Sequence, residues 1–154
     1  EIEGIDGKSV LKALFGKEKE HRRFAYGIHN NIPEGTAYPI RSIRDKRYKL
    51  ILNLTPEVEY FEKHLMNLKN ERSVWASWIE STKTDKRARY FVDRYVKRPA
   101  IEFYDMQKDP WELNNLAEEK KYAKRIAMMK GELEAWMRQQ GDTGAQMDVK
   151  IKKQ

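Results

Sequence analysis

The sequence predicts an α+β domain: a small antiparallel sheet of about four strands, a long C-terminal helix packed on one face, and a helical insertion before the last strand. Three observations carry this expectation. Short runs with β-permissive content and period-two alternation gather between residues 22 and 54. A further strand-like run, at 102–106, comes only after a long stretch of helical pattern. Apolar residues then recur at three- and four-residue spacing from 118 to 140.

A short helix opens the chain around Lys8 to Phe15 and ends at Gly16. The run "RRFAYGIH" reads as the first strand and "NNIPEGTA" as a loop; "YPIRSIRD" and "YKLILNL" follow as a hairpin joined near Asp45-Lys46. In the last of these, Tyr48, Leu50, Leu52 and Leu54 share one face, and Lys49, Ile51 and Asn53 the other. Thr55-Pro56 predicts a helix start, with Val58, Phe61, Leu65 and Leu68 as its apolar stripe. Two more helices are expected, from Ser73 to Thr82 and from Asp85 until Arg98-Pro99 stops the chain. Glu102 to Met106 supplies the last strand, and Asp109-Pro110-Trp111-Glu112 has the order of a capping box that starts a helix. The long helix carries Tyr122, Ile126, Met129, Leu133, Trp136 and Met137 on one face and closes at Gly141; residues 142–154 read as a polar tail with no core to join. The sheet face away from the long helix is expected to meet solvent or to dock on another domain.

At 154 residues with 40% hydrophobic content, the chain has enough core-forming side chains for one domain without staples. The absence of cysteine removes disulfides, zinc–thiolate sites and cysteine nucleophiles together. No run approaches the length of a membrane helix, and the opening "EIEGIDGKSV" lacks a signal-peptide pattern and reads as if cut from a longer chain. The formal charge is +7, with much of the excess in Lys17 to Lys49 and in Lys150, Lys152 and Lys153. Such a balance suits polyanions: nucleic acid, anionic lipid headgroups or sulfated sugars.

Chemistry is harder to find. Ser9, Ser42, Ser73, Ser77 and Ser81 sit in no nucleophile elbow, and His21, His29 and His64 are scattered without metal-ligand spacing. No glycine-rich phosphate loop occurs. Among the histidines His29 stands out, because it ends a strand beside "NNIPEG", where a loop can carry polar groups into a cleft. Arg41 and Arg44 are three apart on one strand and so face opposite ways, which leaves one of them free to meet an anion.

The stretch "EFYDMQKDPWELNNLA" resembles the "ELYDLxxDPxExxNLA" signature near the C-terminus of sulfatases, matching at Glu102, Tyr104, Asp105, Asp109, Pro110, Glu112, Asn115, Leu116 and Ala117. Phe103 and Met106 are conservative departures. "EGIDGKSVLKALFG" resembles the segment that ends the large sulfatase domain, and "YPIRSIRDKRYKLILNL" the hairpin after it, with a lean toward N-sulfoglucosamine sulfohydrolases (sulfamidases) and related bacterial glycan sulfatases. The likeness runs over roughly residues 3 to 140.

This resemblance implies that residues 1–20 end or connect the large domain, that 21–141 form the C-terminal domain, and that 142–154 are a tail. It also implies a catalytic domain upstream, with a formylglycine made from Cys or Ser in C/S-x-P-x-R and a bound calcium, and export to the periplasm or beyond the cell. No proline of this chain falls two residues after a serine, so the chain alone is expected to be inactive and to hold no catalytic or metal residue. Its expected part is to pack on the catalytic domain and help shape the pocket for a sulfated glycan, with His29, Asn30, Asn31 and Arg41 nearest the sugar. The rival reading is a non-enzymatic polyanion-binding module for heparin-like glycans or nucleic acid, resting on the basic charge; under the sulfatase reading nucleic acid is not an expected partner.

Overall fold

The computed structural model describes residues 7–32, 35–69 and 73–147. Lys150, Lys152 and Lys153 lie outside the described residues. Four strands, β1 (Ala25–His29), β2 (Ile40–Arg44), β3 (Tyr48–Asn53) and β4 (Ile101–Asp105), form one antiparallel sheet in the order β1-β2-β3-β4. The hairpin turn between β2 and β3 forms because Asp45 can serve its own corner: its carboxylate accepts from the Arg47 and Tyr48 N–H groups at 2.8 and 2.6 Å.

Alternation along the strands assigns the two faces. Register pairs Ile43 with Leu50 and Leu50 with Phe103, and these three pack with Phe24, Leu52, Ile126, Met129 and Leu133 into the larger core. The long helix α4 (Ala123–Gln139) supplies the last three of those residues and covers this face. It is preceded by a 3-10 turn at Lys120–Tyr122 and closed by Gly141, whose φ of 67° is a left-handed value glycine adopts without a Cβ penalty.

The opposite face carries a second core of Tyr38, Tyr60, Met66, Trp75 and Val92. It lies under the two insertion helices α2 (Val74–Ser81) and α3 (Lys86–Val96), which start where expected and are capped by the Ser73 hydroxyl and the Asp85 carboxylate. This face therefore does not wait wholly for solvent or another domain: the insertion covers much of it. The opening helix α1 is only Leu11–Leu14, and none of its residues is buried.

Three expectations are corrected. First, residues 55–68 do not form a helix. The Tyr60 N–H is drawn to the Val96 carbonyl at 2.7 Å, and Glu62 bridges to Gly35 and spends its carboxylate on the His64 and Leu65 N–H groups. The residues this buries, Tyr60 and Met66, are not the Phe61 and Leu68 of the helical stripe, which stay exposed.

Second, no helix starts at Asp109. Glu112 has φ of 54°, which breaks a right-handed turn, and its carboxylate pairs with Lys49 at 2.8 Å instead of reaching back to the Asp109 N–H. Third, the tail does find a core: Asp142 is buried, and Gly144 lies against Leu54 and Met137.

Candidate functional site

Three of the four residues expected nearest a sugar meet at one corner of the sheet, where β1 hands over to β2. Asn31 takes a left-handed φ of 61°, which asparagine tolerates better than most residues, and is only 2% exposed. Its side-chain amide donates to the Thr36 and Phe61 carbonyls at 2.9 and 2.7 Å, fastening the loop to the segment after β3. Gly35 lies so near that a Cβ there would stand 1.8 Å from the Phe61 carbonyl oxygen, so the loop closes only on glycine.

Arg41 is 1% exposed and points to the α4 side of the sheet. Its Nε and Nη2 donate to the two carboxylate oxygens of Asp142 at 2.5 and 3.1 Å; Nη1 donates to the Asn30 side-chain carbonyl at 2.8 Å and to the Ile40 carbonyl at 3.0 Å. A forked guanidinium held this way is a clamp: it joins the loop after β1 to the chain after α4. The Arg41 guanidinium, together with the Gly144 N–H, outweighs burial and holds the Asp142 carboxyl below its usual range.

His29 turns the other way. It is exposed at the end of β1, with its ring 6.3 Å from Tyr60. The structure thus brings Asn30, Asn31 and Arg41 together, sets His29 beside them on the second face, and gives Arg41 to Asp142. Asp142 was missed in the sequence because it falls in a polar tail. The signal was nonetheless there in "GDTG", an acid between two glycines, both of which take positive φ.

The sulfatase-like stretch proves to be architecture. Asp109 accepts the Asn114 N–H at 2.7 Å, and Asn115 receives the Phe103 and Ala117 N–H groups at 2.9 and 3.0 Å while donating to the Ile101 carbonyl at 3.1 Å. Asp105 is held in a double contact by Arg47, at 3.1 Å from Nε and 2.7 Å from Nη2. Tyr104 donates to Glu102 and accepts from Arg94 at 2.6 Å; burial first, and then the bond to Glu102, push its hydroxyl upward in pKa. Arg94 also caps the Glu112 and Leu113 carbonyls. These polar residues thus hold the turn that follows β4 against the sheet, while Gln107 and Lys108 stay exposed.

Beside that turn, between α3 and the sheet, lies an open cleft of about 790 Å³ lined by Lys49, Trp78, Phe91, Arg98 and Trp111 among others. Among the described residues no cluster of three or more His, Asp or Glu could hold a metal ion, and no helix is long and apolar enough to cross a membrane.

No family model matches the chain. It is 34% identical over 146 residues to an ulvan-active sulfatase of Formosa agariphila, an alignment that takes in 91% of this chain and 26% of that protein. The chain belongs to the sulfatase family. A second ulvan-active sulfatase of the same organism is 30% identical over 105 residues, covering 67% of this chain and 17% of its own length. Human N-sulphoglucosamine sulphohydrolase is 25% identical over 141 residues, covering 86% and 26%.

The chain thus spans about a quarter of the length of the longer-matching sulfatases and corresponds to their C-terminal part. Among solved structures, a Bacteroides thetaiotaomicron sulfatase superimposes with a TM-score of 0.55 at 20% identity, over 99% of this chain and 24% of that one. A protein solved with its substrate D-glucosamine-2-N,6-O-disulfate gives 0.57 at 20% identity, over 96% and 22%. Identities this low show the fold alone.

Proposed function

We propose that this chain is the C-terminal domain of a sulfatase that removes sulfate from a sulfated glycan, packing on a catalytic domain and shaping one wall of its substrate pocket. The observation that carries this is the 34% identity to an ulvan-active sulfatase over nearly the whole chain, with the DPxE stretch inside the aligned region. In this reading the reaction is done elsewhere. The formylglycine and calcium that the family resemblance implies do not fit the residues present: the sequence lacks C/S-x-P-x-R, and the described residues hold no carboxylate or histidine cluster of ligand size. No step of hydrolysis is therefore assigned to this chain.

His29 and Asn30 are the residues we place toward the sugar, with Asn31 and Arg41 holding their loop in shape. Docking on the catalytic domain is assigned to the opening segment, where Val10, Leu11, Leu14 and Phe15 lie exposed on and beside α1. Export to the periplasm or the cell exterior belongs to the same proposal, since polymeric sulfated glycans lie outside the cell.

The test is kinetic. In the longer protein, His29→Ala is expected to raise KM for a sulfated oligosaccharide at least severalfold with little change in kcat, the signature of lost ground-state binding. Unchanged KM and kcat for both His29→Ala and Asn30→Ala would remove this corner from the pocket.

A further inference from the structure

The net charge of this chain is not spread over it. Residues 8–49 hold eleven Lys or Arg against four Asp or Glu, so the whole formal excess of +7 falls in that stretch and the remaining residues balance. Folding then sorts these cations. Arg41 is spent on Asp142, Arg47 on Asp105, Lys49 on Glu112, Lys46 on Glu20 and Lys12 on Glu18. Glu18 and Glu20, the two acids in residues 7–32, are thereby both neutralised.

Of the other six, Lys8 lies ahead of α1, and Lys17, Lys19, Arg22, Arg23 and Arg44 remain exposed, with no carboxylate partner facing them among the described residues. They are neighbours. Register pairs Arg44 with Ala25, two residues after Arg23; the Lys46–Glu20 pair at 2.5 Å links the irregular segment leading into β1 to the β2–β3 hairpin; and Arg23 is steadied with its guanidinium 4.9 Å over the Phe24 ring. Arg22, Arg23 and Arg44 thus gather at the hairpin end of the sheet, and Lys17 and Lys19 lie on the segment just before them, next to Glu20. His29 ends β1 at the other end, about 13 Å along the strand.

We propose that Lys17, Lys19, Arg22, Arg23 and Arg44 form a docking surface for a sulfated polysaccharide chain, separate from the His29 corner. Five unneutralised cations on one edge concentrate positive potential, and a polymer with a sulfate on successive sugars gains by releasing counterions to several of them at once. Nucleic acid would fit less well: of the exposed aromatic rings only Phe15 belongs to this part of the chain, so bases have little to stack on. The inference rests on the proposed function only for choosing a sulfated sugar over another polyanion. Its role there would be to hold a long substrate near the enzyme, not to choose the bond that is cut.

Retention of the 154-residue chain on immobilised heparin across a salt series tests this, with dextran as the uncharged control. The triple variant Arg22→Glu/Arg23→Glu/Arg44→Glu is compared with Lys86→Glu/Lys108→Glu/Lys124→Glu, which changes the net charge equally at scattered exposed sites. The expected result is loss of roughly tenfold or more in affinity near 0.1 M salt for the first only, with the salt slope falling by about three. Should the first variant fold poorly by circular dichroism, Arg22→Gln/Arg23→Gln/Arg44→Gln replaces it with the same expected order.

Equal losses in both variants would mean that net charge alone binds heparin and would overturn the proposal, as would no retention of the unaltered chain. Binding of single-stranded poly(dT) as tight as that of heparin would overturn the assigned partner. Failure here is distinguishable from failure of the sulfatase reading, because retention needs no hydrolysis. In the longer protein the same triple variant should lower kcat/KM on the polysaccharide while leaving a sulfated monosaccharide unaffected.

Discussion

The Arg41–Asp142 pair is the residue-scale feature with the largest consequence. Both side chains are withdrawn from water, so removing one leaves an uncompensated buried charge. Asp142→Ala is expected to lower stability by about 3 kcal/mol, read as a fall in the urea midpoint with an unchanged slope. A loss under about 1 kcal/mol would mean that the pair does not clamp the corner. Acid should act on the same bond. Arg41 holds the Asp142 carboxyl below its usual range, and Arg47 does the same for Asp105. A carboxyl whose folded value is depressed contributes stability that is present above the unfolded value, about pH 4, and drains away as pH falls through the folded one. Urea midpoints should therefore hold near neutrality and drop below about pH 4, with Asp142→Asn flattening part of that drop. Asp109→Ala should cost about 1 kcal/mol for the lost bond to the Asn114 N–H while leaving the circular dichroism of α4 unchanged, because that carboxylate caps a turn and not a helix.

Among the elements, those whose local signals agree with their packing were legible and those decided by distant partners were not. The strands, the Ser73 and Asp85 caps and the Gly141 stop all follow from alternation, cap chemistry and glycine placement. Residues 55–68 carry a helical apolar stripe as good as that of α3, yet contacts at Val96 and Gly35 pull the backbone into an irregular path that no local pattern encodes. The capping-box order at Asp109 failed for a similar reason: Lys49 and Arg94, both far away in sequence, claim Glu112. At the candidate corner, His29 and the polar loop were readable from a strand end beside Gly and Pro, while the commitment of Arg41 to Asp142 spans 101 positions and was not. Packing of α4 offers a direct check on the sheet: Leu133→Ala, at a fully buried position, should cost about 2–5 kcal/mol, whereas Leu14→Ala on exposed α1 should cost almost nothing in the chain by itself.

For the molecule as a whole, the two cores lie on either side of the sheet with no disulfide between them, and the exposed apolar residues around α1 form the surface proposed to dock on a catalytic domain. The chain alone is expected to self-associate through that surface, seen as a concentration-dependent rise in mass by light scattering; Leu14→Ser/Phe15→Ser should abolish it, and a monomer at high concentration would argue against docking there. If the chain is the non-catalytic part of a glycan sulfatase, as proposed, sulfate release should depend on the rest of the longer protein. The most direct test is the release of inorganic sulfate from a panel of sulfated polysaccharides that includes ulvan and heparin. The assay compares the chain alone with the same chain joined to a sulfatase catalytic domain in the longer protein. Sulfate is expected from the joined protein and none from the chain alone. Sulfate released by the isolated chain, or none from the longer protein on any sulfated glycan, would contradict the proposal.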